Sequence, residues 1–340
     1  MKHARSATPL RVRRLSLFAA LLMIASAMLS LRIGSFDLSY AEMFSAIFNS
    51  GESEYGTVRA VLFDIRIPRI LTALFVGGGL AVAGVVFQVL LRNVLADPYI
   101  LGVSGGAAVG ALTAIATGLS AWYFPAQVLL SFLTALAVVV VVYGLGLRAS
   151  LERNTLLLTG VMIGAFLSAI ILALVSTMDR PVRTALFWLV GYLGSTGMAE
   201  VAVLVPIVAV LSLWLMLYAG RMNILALGEE TASHLGLGVR RTQGLLYILA
   251  SLMTAAVVSV AGTIGFIGLL VPHVIRLFVG SDHRLLVPLS FFLGATFLII
   301  CDLLARSLLS PVEIPVGALT AAIGAPLFIA LLRRRGAGTI

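Results

Sequence analysis

The 340-residue chain is 61% hydrophobic and 11% charged, where a soluble domain carries roughly 25% charged residues, so it cannot dress its own surface for water and is read as a membrane protein. Its net charge of +9 rests on arginines and one lysine, Lys2, set at the ends of apolar runs and not along one face, a placement that follows span topology and excludes a nucleic-acid surface. A P-loop needs a lysine to reach the phosphates, so this chain does not itself hydrolyse ATP, and the lone Cys301 excludes a disulfide framework or a thiolate metal cluster.

Ten apolar runs follow in chain order, at 15–33, 68–90, 99–118, 122–147, 155–177, 199–219, 243–262, 266–279, 285–305 and 314–332. They are too long and too uniformly apolar for barrel strands, which predicts an all-α membrane protein of about ten transmembrane helices. Residues 1–14 form a basic cytoplasmic tail, 15–335 a single membrane domain and 336–340 a C-terminal tail. The first run also admits a signal-peptide reading, with Ala25-Ser26-Ala27 as the cleavage region, nine remaining spans and an external mature N-terminus. Its length and the charge pattern favour retention.

Residues 34–65 are expected outside, with Asp37, Glu42, Glu52, Glu54 and Asp64. Gly102, Gly106 and Gly110, then Gly160 and Gly164, stand at four-residue spacing, which lets helix backbones approach closely in lipid. Residues 220–242 are neither apolar enough to span nor loop-like; two short helices parted by a glycine turn fit them best, lying under the membrane. His273 follows Pro272 in the short eighth run, where a structural histidine bonding broken helix backbone is favoured over a metal ligand. Glu200 and Asp302 are the span-embedded acids, both near outer ends, and Asp302 sits four residues before Arg306, the spacing of an ion pair. With the N-terminus cytoplasmic, 16 basic residues fall at inner ends and 7 at outer ends. That asymmetry predicts an inner-membrane protein, multi-pass, with both termini cytoplasmic.

Three stretches carry a family signature. Arg66-Ile67-Pro68-Arg69 opens a span continuing GGGLAVAGVVFQVLLRNVLADPYILGVSGGAAVGA. The loop LALGEETASHLGL comes later, and then GTIGFIGLLVPHVIRLFVGSDHRLLVPLS with LLARSLLSPVEIPVGALTAAIGAPLFIALLRR. Together, from about residue 60 to 335, they resemble the permease family of ATP-driven importers for iron chelates, haem and vitamin B12, the FecCD-like type II importers.

The resemblance implies a ten-span subunit working as a homodimer around a central translocation path. Two cytoplasmic ATPase subunits, which carry ATP and magnesium, dock beneath it, and a periplasmic substrate-binding protein delivers from above. No cofactor is implied on this chain. Leu227, Gly228, Glu229, Glu230, Ala232, Leu235 and Gly236 match the family's coupling helices. Arg66, Arg69 and Arg306 match outer-face arginines that meet acids of the binding protein, a role suited to guanidinium forks. Asn93 and Leu95, with Arg153 and Asn154, match a translocation gate, although Val94 stands where proline is usual and leaves the loop's shape open. An iron complex, siderophore or haem, is favoured over cobalamin on the breadth of the family alone. The competing functions are an ion-coupled secondary carrier, since sodium sites can use carbonyls alone, and a structural scaffold. Helix breaks such as Pro272 speak against the scaffold.

Overall fold

The computed structural model describes residues 8–34, 38–48, 56–122, 124–148, 153–178 and 182–336. Lys2, Arg5, Asp37, Glu52, Glu54, Arg180, the final residues 337–340 and the side chain of Arg153 lie outside what is described. Among the described residues every regular element is helical. α1 (Pro9–Arg32), α2 (Tyr40–Phe48) and α3 (Gly56–Ala60) come first, and a π-helical turn, Val61–Arg66, joins α3 without a break to α4 (Ile67–Leu90). A 3-10 turn at Pro98–Leu101 leads into α5 (Val103–Ala116), α6 (Leu119–Trp122), α7 (Phe124–Arg148), α8 (Arg153–Ser176), α9 (Val182–Val190) and α10 (Met198–Leu217). The chain ends with α11 (Ala219–Ala226), α12 (Glu229–His234), α13 (Val239–Ala261), α14 (Ile267–Val279), α15 (His283–Ser307) and α16 (Val316–Gly336).

Among the described residues, seven helical stretches are long and apolar enough to cross a membrane by length and composition. α5, α14 and α16 are shorter apolar helices, so each of the ten apolar runs holds one helix. The elements differ from expectation mainly at their edges. α1 starts at Pro9, inside the stretch expected as tail, because Thr8 accepts a hydrogen bond from the Arg11 amide and Pro9 is pre-set for the first turn. The expected 34–65 loop contains α2, whose start is a reciprocal cap: Ser39 Oγ accepts from the Glu42 amide, and the Glu42 carboxylate accepts from the Ser39 amide. That amide bond holds the Glu42 carboxyl below the usual range.

Burial sorts the helices into two layers. The most apolar windows of Gly56–Leu90, α13 and α15 are 83%, 78% and 72% buried, whereas those of α1 and α8 are each 11% buried. α4 is the hub, packed most extensively on α15 and then on α13. Small residues make this possible. A Cβ at Gly77 would collide with the Gly294 carbonyl of α15, and one at Gly84 with the Gly268 carbonyl of α14. Gly106 and Gly110 seat α5 on Thr134 and Leu130 of α7 in the same way, as the stripe predicts. Gly102 does something else: it takes φ 76° at the start of α5, and the space beside Gly164 is open. The outer helices present Leu17, Phe18, Leu21, Phe166, Leu172 and Leu217 outward. Such a surface is tolerable only against lipid or another apolar face.

Candidate functional site

The three expected docking arginines converge where α1 and α15 finish and α4 begins. The π-helical turn sets their aim, since its wider winding ends at Arg66 and hands Arg69 to the first turn of α4. Arg69 Nε donates to both Asp302 oxygens at 2.9 and 3.0 Å, and its Nη1 to both Glu313 oxygens at 3.0 Å. Arg306 Nε lies 3.9 Å from Asp302, the pair the spacing predicts, and its Nη2 donates to Ser30 Oγ at 2.7 Å and to the Ser30 carbonyl. Arg66 donates to the carbonyls of Leu31 and Arg32.

All three guanidiniums are buried, with relative exposures of 3%, 5% and 8% for Arg66, Arg69 and Arg306. An open rim of exposed forks is therefore not the arrangement here. The burial follows from Asp302 and the helix-end carbonyls of α1, which supply the acceptors a desolvated guanidinium requires. Sequence reading missed Glu313, in the α15–α16 connection, and Tyr192, whose hydroxyl donates to Glu313 at 3.0 Å. Burial and the neighbouring Glu313 carboxylate push the Tyr192 phenol above its usual pKa, which keeps it a donor. A cavity of about 110 Å³ opens beside the cluster between Ile65, Ile70, Arg306 and Glu313.

The opposite end holds the segment 219–238. The two short helices expected there are α11 and α12, parted by Leu227 and by Gly228 at φ 120°. Glu229 and Glu230 fill the first turn of α12, where carboxylates suit the unpaired amides. Glu229 also accepts from Gln243 Nε2 of α13 at 3.2 Å. Ala232 is fully buried against the bundle, while Leu227 and Leu235 flank α12 as exposed apolar side chains. Gly236 ends the helix at φ 79° with open space around it, so its need is conformational. Asn223 of α11 locks this segment to α15: its amide donates to Asp282 at 2.8 Å, and its oxygen accepts from the His283 amide at 2.8 Å.

The expected gate residues are brought to the same end. Asn93 Oδ1 accepts from the Leu95 amide at 2.9 Å, a local turn that shapes the loop without proline, and Val94 and Leu95 are exposed. Arg92 takes φ 44° and reaches toward Gly228, so the loop after α4 borders α12. Asn154 is exposed at the start of α8, whose Gly160 packs on Ile100 and Leu101 of the 3-10 turn beyond Asn93.

Between the ends, irregular backbone crosses the bundle interior and is satisfied there. Tyr99 Oη donates to the Ile264 carbonyl at 3.0 Å and accepts from its amide at 3.1 Å. The Tyr192 amide donates to Ala261 O at 3.1 Å, and Gly317 N to Gly191 O at 3.4 Å. Pro272 leaves the Gly268 carbonyl without its helical donor, and Gln88 Nε2 of α4 supplies one at 3.3 Å. The buried His273 ring, next in the chain, stands edge-on to Phe328, 5.3 Å between centroids. The backbone broken at these points is thus re-satisfied within the bundle, as burial among apolar helices requires.

Known proteins are similar to this chain over most of its length. A cobalamin import system permease, BtuC, of Halobacterium salinarum is 44% identical over 285 residues, covering 82% of this chain and 75% of that protein. The hemin transport system permease HmuU of Yersinia pestis is 35% identical, covering 94% and 95% of the two chains. Among solved structures, an inward-facing conformation of a metal-chelate type ABC transporter matches with TM-score 0.82 and 31% identity, over 95% of this chain and 99% of that one. The model of the FecCD transport family matches residues 21–334. By sequence and by fold, this chain is an ABC transporter permease belonging to the FecCD transport family.

Proposed function

We propose that this permease works as a homodimer, with two cytoplasmic ATPase subunits seated on α12 and a periplasmic binding protein seated on the arginine end, and that it imports a metal chelate. The observation that carries the reading is the polarity of one buried core. α4 and α15 each run between the end that holds α11 and α12 and the cluster built on Arg66, Arg69 and Arg306. A glycine-bounded helix with exposed Leu227 and Leu235 is a knob for a protein groove. Under this reading ATP and magnesium sit on the ATPase, and the path through the permease opens near Asn93, Leu95, Arg153 and Asn154. N- and C-termini lie on the cytoplasmic side, as the arginine count requires.

The substrate class follows from the relatives' names, which speak of cobalamin, hemin and metal chelates. An iron complex or cobalamin, recognised mainly by the binding protein, is the cargo we assign. The test is uptake into proteoliposomes holding the permease, an ATPase subunit and a binding protein of this family, with radiolabelled cobalamin and ferric chelates. Uptake should need ATP on the ATPase side and ignore a protonophore. Uptake by the permease alone, driven by a sodium or proton gradient, would overturn the proposal in favour of an ion-coupled carrier.

A further inference from the structure

We propose that Glu313 is an internal carboxylate that occupies the docking arginines until an acidic side chain of the binding protein takes its place on Arg69. The inference rests on the docking reading above and adds to it the group that must leave. Arg69 divides its donors between two carboxylates of different standing. Asp302 is buried in α15, paired through Nε, and also lies beside Arg306. Glu313 is held through Nη1 but its side chain is 34% exposed. It belongs to the connection between α15 and α16, where Leu308, Leu309 and Val312 are exposed as well.

A desolvated guanidinium does not give up an anionic partner without a replacement. Glu313 therefore leaves only in exchange for another carboxylate, and the cavity of about 110 Å³ beside Arg306 and Ile65 is where the incoming one fits. Charge favours the exchange. Arg66, Arg69 and Arg306 line the cavity with Glu313, and Asp302 pairs with the last two, so with Glu313 withdrawn a single acid remains in the cluster. Withdrawal also reaches inward. Glu313 is the acceptor for the Tyr192 hydroxyl, and the neighbouring backbone bonds tie the segment after α9 to the end of α13, through Tyr192 and Ala261, and the start of α16 to that same segment, through Gly317 and Gly191. Docking by carboxylate exchange would thus loosen the α15–α16 connection and the segment after α9 together.

The experiment uses the full-length permease in nanodiscs, a fluorescein-labelled hexaglutamate peptide as the acidic probe, and amide hydrogen exchange. Glu313→Gln keeps the shape and removes the anion. It should tighten peptide binding about fivefold and speed exchange across residues 308–315 severalfold. Tyr192→Phe, which removes one hold on Glu313 without touching the ion pairs, should move both readouts the same way by less, and keeps the test alive should the first variant fold poorly. Glu200→Gln deletes an equal charge away from the cluster and should bind as wild type. If Arg69→Ala binds the peptide as wild type does, the docking reading itself falls. If Arg69→Ala loses binding while Glu313→Gln and Tyr192→Phe bind no tighter than wild type, docking stands and the exchange is wrong. Equal tightening in Glu200→Gln would reduce the effect to net charge and overturn the exchange too.

Discussion

At the scale of single residues, what decides the arginine end is which acid is buried. Asp302 has Arg69 and Arg306 within ion-pair distance and is itself only 1% exposed. Removing one member of a buried ion pair costs about 3–5 kcal/mol, against about 0–1 kcal/mol for an exposed one. Asp302→Ala should therefore strip most of the fold's stability, while Glu313→Ala should lower it by clearly less, because Glu313 is partly exposed and Arg69 keeps Asp302. Thermal unfolding of both variants in detergent measures the difference, and equal losses would contradict the ranking. Asp302 with Arg306 is legible in the sequence because four residues make one helical turn. Arg69 with Asp302 is not, since 233 residues separate them and only the packing of α4 on α15 joins them. For the same reason three arginines at span ends read as rim charges. Nothing in their local sequence announces that the α1 terminus turns its carbonyls toward them.

At the scale of elements, apolar runs map onto helices because a bilayer rewards length and apolarity alone. The short pieces were harder to see. α2, α9 and the π-helical turn are set by capping and by local winding within polar or mixed sequence. The glycines show where pattern and packing part company. Gly106 and Gly110 meet α7, as their spacing suggests, whereas Gly164 of the second motif faces open space, and the closest approach in α4 comes at Gly84, outside any regular stripe. Gly84→Val should force α4 off the Gly268 backbone, an overpacking of about 1–3 kcal/mol or more, and lower the yield of monodisperse protein. Gly164→Ala should be neutral or stabilising, because alanine is the better helix former by about 1 kcal/mol. Size-exclusion profiles and melting temperatures of the pair check this; a well-folded Gly84→Val would show that α4 and α14 can part more easily than their contact implies.

At the scale of the whole molecule, the reading stands on orientation. With buried Cys301 replaced by serine, cysteines at Leu309 and Leu235, both exposed at opposite ends of the bundle, should label differently in intact cells. A membrane-impermeant maleimide should reach Leu309→Cys at once and Leu235→Cys only after permeabilisation; the reverse result would invert the topology. What joins these two faces is α15. From Asp282, held by Asn223 of α11, to Asp302, held by Arg69, it advances about 1.5 Å per residue without a connecting loop. Its Pro288 lies near the α11 end, leaving the length beyond it an unbroken helix. Under the proposed seating of ATPase and binding protein, one helix anchored at both surfaces makes the two partners thermodynamic counterparties. Whatever factor nucleotide on the ATPase imposes on the binding protein's affinity, docking must return to the nucleotide's affinity in equal measure.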